Sequence, residues 1–305
     1  MKNNNQNPST GNPFKSHKFP LRIRLFFAVT RLFFRSLGSF APKLAGKLAL
    51  PLFMTPPKFP SPRREIALRE KSRQSHQTIS GNHIVIYTWG EGPTVLLSHG
   101  WGGRSTHFYA FIELLISAGY QAVAFDAPAH GESSGKRTNA LDVTNVLVAV
   151  AESLGSIKAL VGHSFGCGTA LLAMDRFEIK AEKLILFSCF EDIYWITNQF
   201  GAAFAMNEQV ITSMRDEAHR LYQNSFDTAW QWHQLSPINT IQRIKTKILM
   251  LHDQQDQEVP YQHSENLLAV SSDAQLVTTS GLGHKKILRD REVLQTCLEF
   301  IQNKK

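Results

Sequence analysis

An α/β fold, with a mostly parallel sheet covered by helices on both faces, is what this 305-residue chain predicts. Three observations carry that expectation. After residue 80, short β-branched and leucine-rich runs alternate with longer helical ones, the pattern of repeated strand–helix units. Several of the short runs are continuously apolar, as strands buried on both faces are. One of them, Ile157 to Val161, leads into Gly162-His163-Ser164-Phe165-Gly166 and then into a small-residue helical run, Cys167 to Met174. That is strand, sharp turn, helix, with a serine at the apex and a glycine on each side where a larger side chain would crowd the turn.

The elements follow in order. His83 to Trp89 alternates apolar and polar residues and reads as a strand. Val95 to His99 is a short buried strand ending at Gly100, and Phe108 to Ala118 is helical. Gln121 to Asp126 is the next strand, followed by a loop and a helix from about Leu141 to Leu154. After the serine turn and its helix comes the strand Lys183 to Ser188. The rhythm then breaks: residues 190–240 are helical and aromatic, with Phe200, Phe204, Met206, Trp230 and Trp232 and no strand pattern. Lys247 to His252 restores it, and helix Tyr261 to Val270, strand Gln275 to Thr279 and helix Arg291 to Ile301 complete the chain. The division expected is an N-terminal extension over 1–64 and one α/β domain over 65–305, with 190–240 inserted as a helical lid. Parallel crossovers bring the strand C-termini to one edge, where ligands bind in such sheets.

Charge sharpens the division. The formal net charge is +8, yet residues 1–64 hold 12 Lys and Arg and no acid before Glu65, leaving the rest of the chain at −4. A mildly acidic body excludes nucleic acid as the partner of the fold as a whole. Hydrophobic content of 43% with 19% charged residues suits a sizeable core. Cys167, Cys189 and Cys297 are odd in number, far apart and outside any C-x-x-C pair. They indicate neither a disulfide framework nor zinc, and favour a reducing, cytoplasmic setting.

Within the extension, residues 1–19 are rich in Asn, Pro, Ser and Lys and read as disordered. Leu21 to Leu37, LRIRLFFAVTRLFFRSL, reads as an amphipathic helix with Arg24, Arg31 and Arg35 on one narrow stripe. The arginines leave no apolar run long enough to span a bilayer, and no cleavage site follows. Three readings stand: a helix packed on the body near the site entrance, an interfacial helix on an anionic membrane surface, or an organelle transit peptide. The interfacial reading would make the chain peripheral on a membrane. Residues 38–64 read as a second short helical piece and then an extended linker around Thr55-Pro56-Pro57 and Pro60-Ser61-Pro62.

A serine hydroxyl is a weak nucleophile at neutral pH and needs a neighbouring base, normally a histidine held by a carboxylate. Those partners should stand at strand ends on the same sheet edge. Asp253 and Asp256 follow the strand KILMLH, and His284 follows the last strand in Gly281-Leu282-Gly283-His284. The order serine, acid, histidine is that of strand–serine–helix hydrolases. The spacing around 252–258 offers no open metal set, and no glycine-rich loop has dinucleotide spacing, so neither metal nor cofactor is expected.

From about residue 80 to the C-terminus the chain resembles the α/β-hydrolase superfamily, in particular its bacterial esterase-like members. His99-Gly100-Trp101-Gly102-Gly103 is similar to the family's loop after its third strand. Asp126-Ala127-Pro128-Ala129-His130-Gly131-Glu132-Ser133 is similar to its D-x-P-G-x-G-x-S segment, with Ala129 where glycine is usual. The serine turn matches the nucleophile elbow, Asp256-x-x-Val259-Pro260 the acid segment and Gly283-His284 the histidine loop. The resemblance implies Ser164 as nucleophile, His284 as general base and then acid, and Asp256 as the residue that orients His284. Asp253 is the backup acid. The backbone N–H groups of Trp101 and Phe165 are the implied oxyanion hole, while His99, His130 and Glu132 are expected to fix loops. The expected activity is hydrolysis of carboxylic esters of apolar acyl or alcohol groups through an acyl-enzyme. The aromatics of 190–240 would either line an apolar pocket or pack the lid onto the sheet. Thioester hydrolysis, acyl transfer and C–C hydrolysis use the same machinery, and a catalytically silent hydrolase-fold binding protein is the alternative of another class.

Overall fold

The computed structural model describes residues 20–223 and 231–303. The expectations for residues 1–19 and for Trp230 lie outside the described residues. Eight strands form one sheet: β1 (Arg73–Ile79), β2 (Asn82–Trp89), β3 (Thr94–Ser98), β4 (Gln121–Phe125), β5 (Ile157–His163), β6 (Lys183–Phe187), β7 (Lys247–Asp253) and β8 (Ala274–Thr279). Their spatial order is β1-β2-β4-β3-β5-β6-β7-β8. β1 and β2 pair antiparallel, as do β2 and β4; all pairs from β4 to β8 are parallel.

The helices are α1 (Leu21–Phe40), α2 (Pro42–Phe53), α3 (Arg63–Glu70), α4 (Tyr109–Ser117), α5 (Ala140–Leu154), α6 (Phe165–Arg176), α7 (Ile193–Ala203), α8 (Glu208–Tyr222), α9 (Pro237–Thr240), α10 (Gln262–Val270), α11 (Gly283–Lys286) and α12 (Arg291–Ile301). The central strands are buried on both faces, which is why their sequences read as apolar runs. On one face Leu96, Leu160, Leu184 and Met250 meet Leu147 of α5, Leu171 of α6 and Leu267 of α10. On the other, Leu97, Val161, Ile185 and Leu249 meet Phe111 and Leu115 of α4 and Leu294 and Ile301 of α12. Side-chain caps fix helix starts: Asn139 accepts from the N–H groups of Leu141 and Asp142, and Asp290 from those of Glu292 and Val293.

Strand β1 is an addition to the sequence reading. Its residues, RQSHQTI, have no apolar alternation because this antiparallel edge strand is largely exposed. The two-residue link Ser80-Gly81, both at positive φ, closes the β1–β2 hairpin.

The break in the strand rhythm is an insert, α7 to α9, between β6 and β7. Its aromatics divide: Trp232, with Tyr194 and Trp195, packs in a cluster with Leu141 of α5 and Leu172 of α6, the helices that cover the sheet. Phe200, Phe204 and Met206 pack against the N-terminal hairpin of α1 and α2, in a cluster with Phe34, Ala45, Ala49, Leu50, Val210 and Met214. Phe204 stacks on Phe27 with ring centroids 5.3 Å apart, and Phe53 meets Phe200 at 5.1 Å. The reason is physical proximity: α2 lies so close on α8 that a Cβ on Gly46 would stand 2.6 Å from Cβ of Ser213. Arg31, one of the stripe arginines, is turned inward and donates from Nε to the Ala203 carbonyl at 2.8 Å. After α2 the chain runs as a strap past the sheet edge, where Pro57 lies against Gly102 and Arg104 donates to the carbonyls of Phe59 and Pro60.

Candidate active site

Ser164 stands where β5 gives way to α6, at φ +53° and ψ −115°, a conformation that side chains other than glycine rarely adopt. Close packing enforces it. A Cβ on Gly162 would lie 2.7 Å from Cα of Cys167, and one on Gly166 would lie 2.8 Å from the His99 carbonyl. The Ser164 N–H is tied to the Phe187 carbonyl of β6 at 2.9 Å. Its hydroxyl makes no hydrogen bond to a described residue.

His284 lies at the start of α11, buried, with its Nδ1 2.7 Å from Oδ2 of Asp256. A carboxylate only accepts, so Nδ1 carries a proton, and in the neutral ring Nε2 presents its lone pair. Oδ1 of Asp256 accepts from the N–H groups of Glu258 at 2.8 Å and Val259 at 2.9 Å. Burial pushes this carboxyl up, but hydrogen bonds from His252 and His284, the charge of His284 and the Val259 N–H outweigh it and hold it well below the usual range. Beyond Nε2 of His284 the Glu258 carboxylate stands 3.9 Å away, itself 2.9 Å from Lys285.

The structure brings Asp256 to His284 and leaves Asp253 apart. Asp253 accepts from Oγ1 of Thr279 at 2.8 Å, from the Leu282 N–H at 2.9 Å and from the Gln255 N–H at 2.9 Å. It therefore ties the end of β7 to the loop that carries His284. Burial raises its pKa, and hydrogen bonds from Leu282, Gly283, Thr279 and Gln255 bring it below its ordinary value.

Two further histidines bear on the group, and sequence reasoning missed both. His163, between glycine and serine in the turn, donates from Nε2 to the His284 carbonyl at 3.0 Å, with ring centroids 4.7 Å apart. His252 is buried beneath Asp256, with Nε2 3.4 Å from its Oδ2 and Nδ1 2.6 Å from Oγ of Ser264. Their signal was position alone: each stands at a strand C-terminus, on the edge where ligands bind.

The loop after β3 carries Trp101. Neither its N–H nor that of Phe165 has an acceptor among the described residues, and the two rings meet at 5.1 Å beside Ser164. Neutral histidines hold this loop. His99 accepts the Ala127 N–H at Nε2 and donates from Nδ1 to the Gly100 carbonyl. His130 accepts the Gly102 N–H at Nε2 and donates from Nδ1 to the Pro128 carbonyl. Burial lowers the first to about 4 and the second to about 3. Asp126 gathers Ser105, Tyr87 and the Glu132 N–H, and the Glu132 carboxylate pairs with Arg69. Ala129, which replaces the usual glycine, sits at φ +65°. Among the described residues no group of three or more His, Cys, Asp and Glu is arranged to hold a metal.

A strained serine after the fifth strand of a mostly parallel sheet, with a histidine–carboxylate pair on the same edge, defines a hydrolase architecture. The family model "Alpha/beta hydrolase family" matches residues 95–295, and the chain belongs to that family. A curated relative, Uncharacterized protein YqkD of Bacillus subtilis (strain 168), is 23% identical over 62% of this chain and 63% of its own length. The chain thus matches less than two thirds of that relative. Among solved structures, a putative lipase from Acinetobacter baumannii AYE aligns at TM-score 0.61 and 17% identity over 80% of this chain and 97% of its own. A bacterial membrane phospholipase A aligns at TM-score 0.59 and 15% identity over 92% and 98%. At these identities the likeness is one of fold.

Proposed function

We propose that the chain hydrolyses carboxylic esters with an apolar acyl or alcohol group, through an acyl-enzyme on Ser164. The observation that carries the reading is the 2.7 Å contact between Asp256 and Nδ1 of His284, because it leaves Nε2 as the base. In this reading Nε2 takes the Ser164 proton as Oγ attacks the ester carbonyl. The N–H groups of Trp101 and Phe165 receive the oxyanion. His284 then returns the proton to the departing alkoxide, and a water activated by the same nitrogen releases the acid. The α7–α9 insert acts as lid. The half-buried rings of Trp101 and Phe165 beside the serine favour an apolar group there.

A fluorophosphonate probe tests the nucleophile, and p-nitrophenyl esters of increasing chain length beside acyl-CoA thioesters test the bond. Labelling of wild type and none of Ser164→Ala is expected, with turnover falling about 10³-fold or more. Equal labelling of Ser164→Ala sinks the assignment. Faster turnover of thioesters than of oxygen esters replaces the bond class while leaving the nucleophile in place.

A further inference from the structure

Helix α1 is about 30 Å long and presents two different faces. Phe27, Phe34 and Gly38 turn toward the insert. On the opposite arc, among the described residues, Leu21, Leu25, Val29 and Leu32 stand 78%, 61%, 58% and 68% exposed. Phe26 and Phe33 extend that arc, and Phe40, Leu44 and Leu48 carry exposed apolar surface on into α2. Contiguous exposed apolar surface of this kind marks an unmade contact. Exposed Arg24 and Arg35 flank it on the side of the arginine stripe, and Arg22 lies within it. Nothing before Glu65 is acidic.

We propose that this face of the α1–α2 hairpin docks onto an anionic lipid bilayer. The side chains Leu21, Leu25, Val29 and Leu32 enter the acyl boundary, and the arginines meet lipid phosphates. The chemistry selects this occupant. An apolar stripe bordered by arginine and free of carboxylates is complementary to an anionic interface. A second copy of the chain, facing it across a twofold axis perpendicular to α1, brings the flanking arginines to the same side of the contact, against one another. No described helix is long and apolar enough to cross a membrane, so the hairpin lies along the surface. Its position gives the docking a consequence. The hairpin rests on α8 of the insert, and the strap that follows it reaches Gly102, the neighbour of Trp101. A docked molecule therefore sits on lipid through a hairpin that the strap joins to the Trp101 loop beside Ser164, and lipid-derived esters become the substrates within reach. That last step rests on the hydrolase reading above; the docking does not.

The experiment is co-sedimentation of the full chain with vesicles of phosphatidylcholine alone or with about one third phosphatidylglycerol. Wild type and Ser164→Ala should bind the anionic vesicles alike. Neutral vesicles, high salt, Leu25→Glu with Leu32→Glu, and Arg24→Glu with Arg35→Glu should each weaken binding about tenfold or more. Both pairs of sites are exposed, so far-ultraviolet circular dichroism and soluble-ester turnover should stay at wild-type level. Wild type left in the supernatant overturns the proposal, as does undiminished binding of either double variant. So does a dimer in sedimentation equilibrium that the leucine variant dissociates while no vesicle binding occurs, since the face then joins two copies. Loss of esterase activity in Ser164→Ala with vesicle binding intact separates the two readings.

Discussion

The C-terminal edge of the sheet and the α1–α2 hairpin are held by opposite kinds of force. At the edge, Asp126, Asp253, Asp256, His99, His130, His163 and His252 are all buried, and each has hydrogen-bond partners. Three backbone positions there, Ala129, Ser164 and Ser188, are kept at positive φ. The hairpin is held mainly by non-directional packing of Phe27, Phe34, Ala45 and Leu50 on the insert. Directional contacts fix atoms to fractions of an ångström, which acyl chemistry requires; apolar contacts tolerate sliding and leave the outer face available. A polar network that costs desolvation throughout marks the place where geometry matters most.

The largest expected effect strikes the edge alone. Asp256→Asn removes the charge that fixes the His284 tautomer, and loss of such a carboxylate costs on the order of 10⁴ in rate. kcat/KM on a short p-nitrophenyl ester should fall to that degree while vesicle binding is unchanged. A loss below about tenfold would move the orienting role elsewhere in the network.

The second effect also separates the regions, through pH. His99 and His130 are held neutral by burial, at about 4 and about 3, against an ordinary value near 6.5. Between those values and about 6.5 the unfolded chain binds protons that the folded chain refuses, so stability rises with pH across that window. It is lost as pH falls from about 6.5, by about 1.4 kcal/mol per pH unit for each histidine. Residues 21–64 contain no histidine. Urea midpoints at a series of pH values should therefore fall below pH 6.5 for a probe in the sheet, with less change for one on α1. A flat profile down to pH 4.5 would mean that these histidines are not held neutral.

Strong, local signals made the two regions unequally legible. Buried parallel strands carry their environment in their composition, so β3 to β8 and the helices α4, α5, α6 and α10 were readable to within a few residues, while the insert was legible only as helical. The serine turn was legible because strain demands glycine on both sides. β1 was not, since an exposed edge strand has no face to bury. Asp256 and Asp253 illustrate the limit at the site. Both follow KILMLH, and the sequence reading separated them only through the resemblance at Val259-Pro260; the path of the Leu282–Gly283 backbone decides which one His284 meets. Phe200 and Phe204 of the insert departed from expectation for a related reason: composition announces that a side chain will be buried and is silent about its partner, here a hairpin about 150 residues earlier.

The smallest effect tests whether the two regions are separable at all. Gly46 lets α2 lie on α8, and a Cβ there meets Cβ of Ser213 at 2.6 Å and the backbone N of Met214 at 2.7 Å. The backbone atom cannot rotate away, so Gly46→Val must move a helix. Such overpacking costs about 1–3 kcal/mol, offset by less than about 1 kcal/mol for replacing a glycine inside a helix. The hairpin should therefore open more often by roughly tenfold, seen as faster limited proteolysis within residues 20–60. Turnover of a soluble ester should stay within about twofold, because the network around Ser164 does not include α2. If turnover instead falls in step with proteolysis, the strap is the link: Pro57 lies against Gly102, and releasing it frees the loop that presents the Trp101 N–H. The hairpin would then belong to the site itself, and membrane docking would act on catalysis through the position of that one donor.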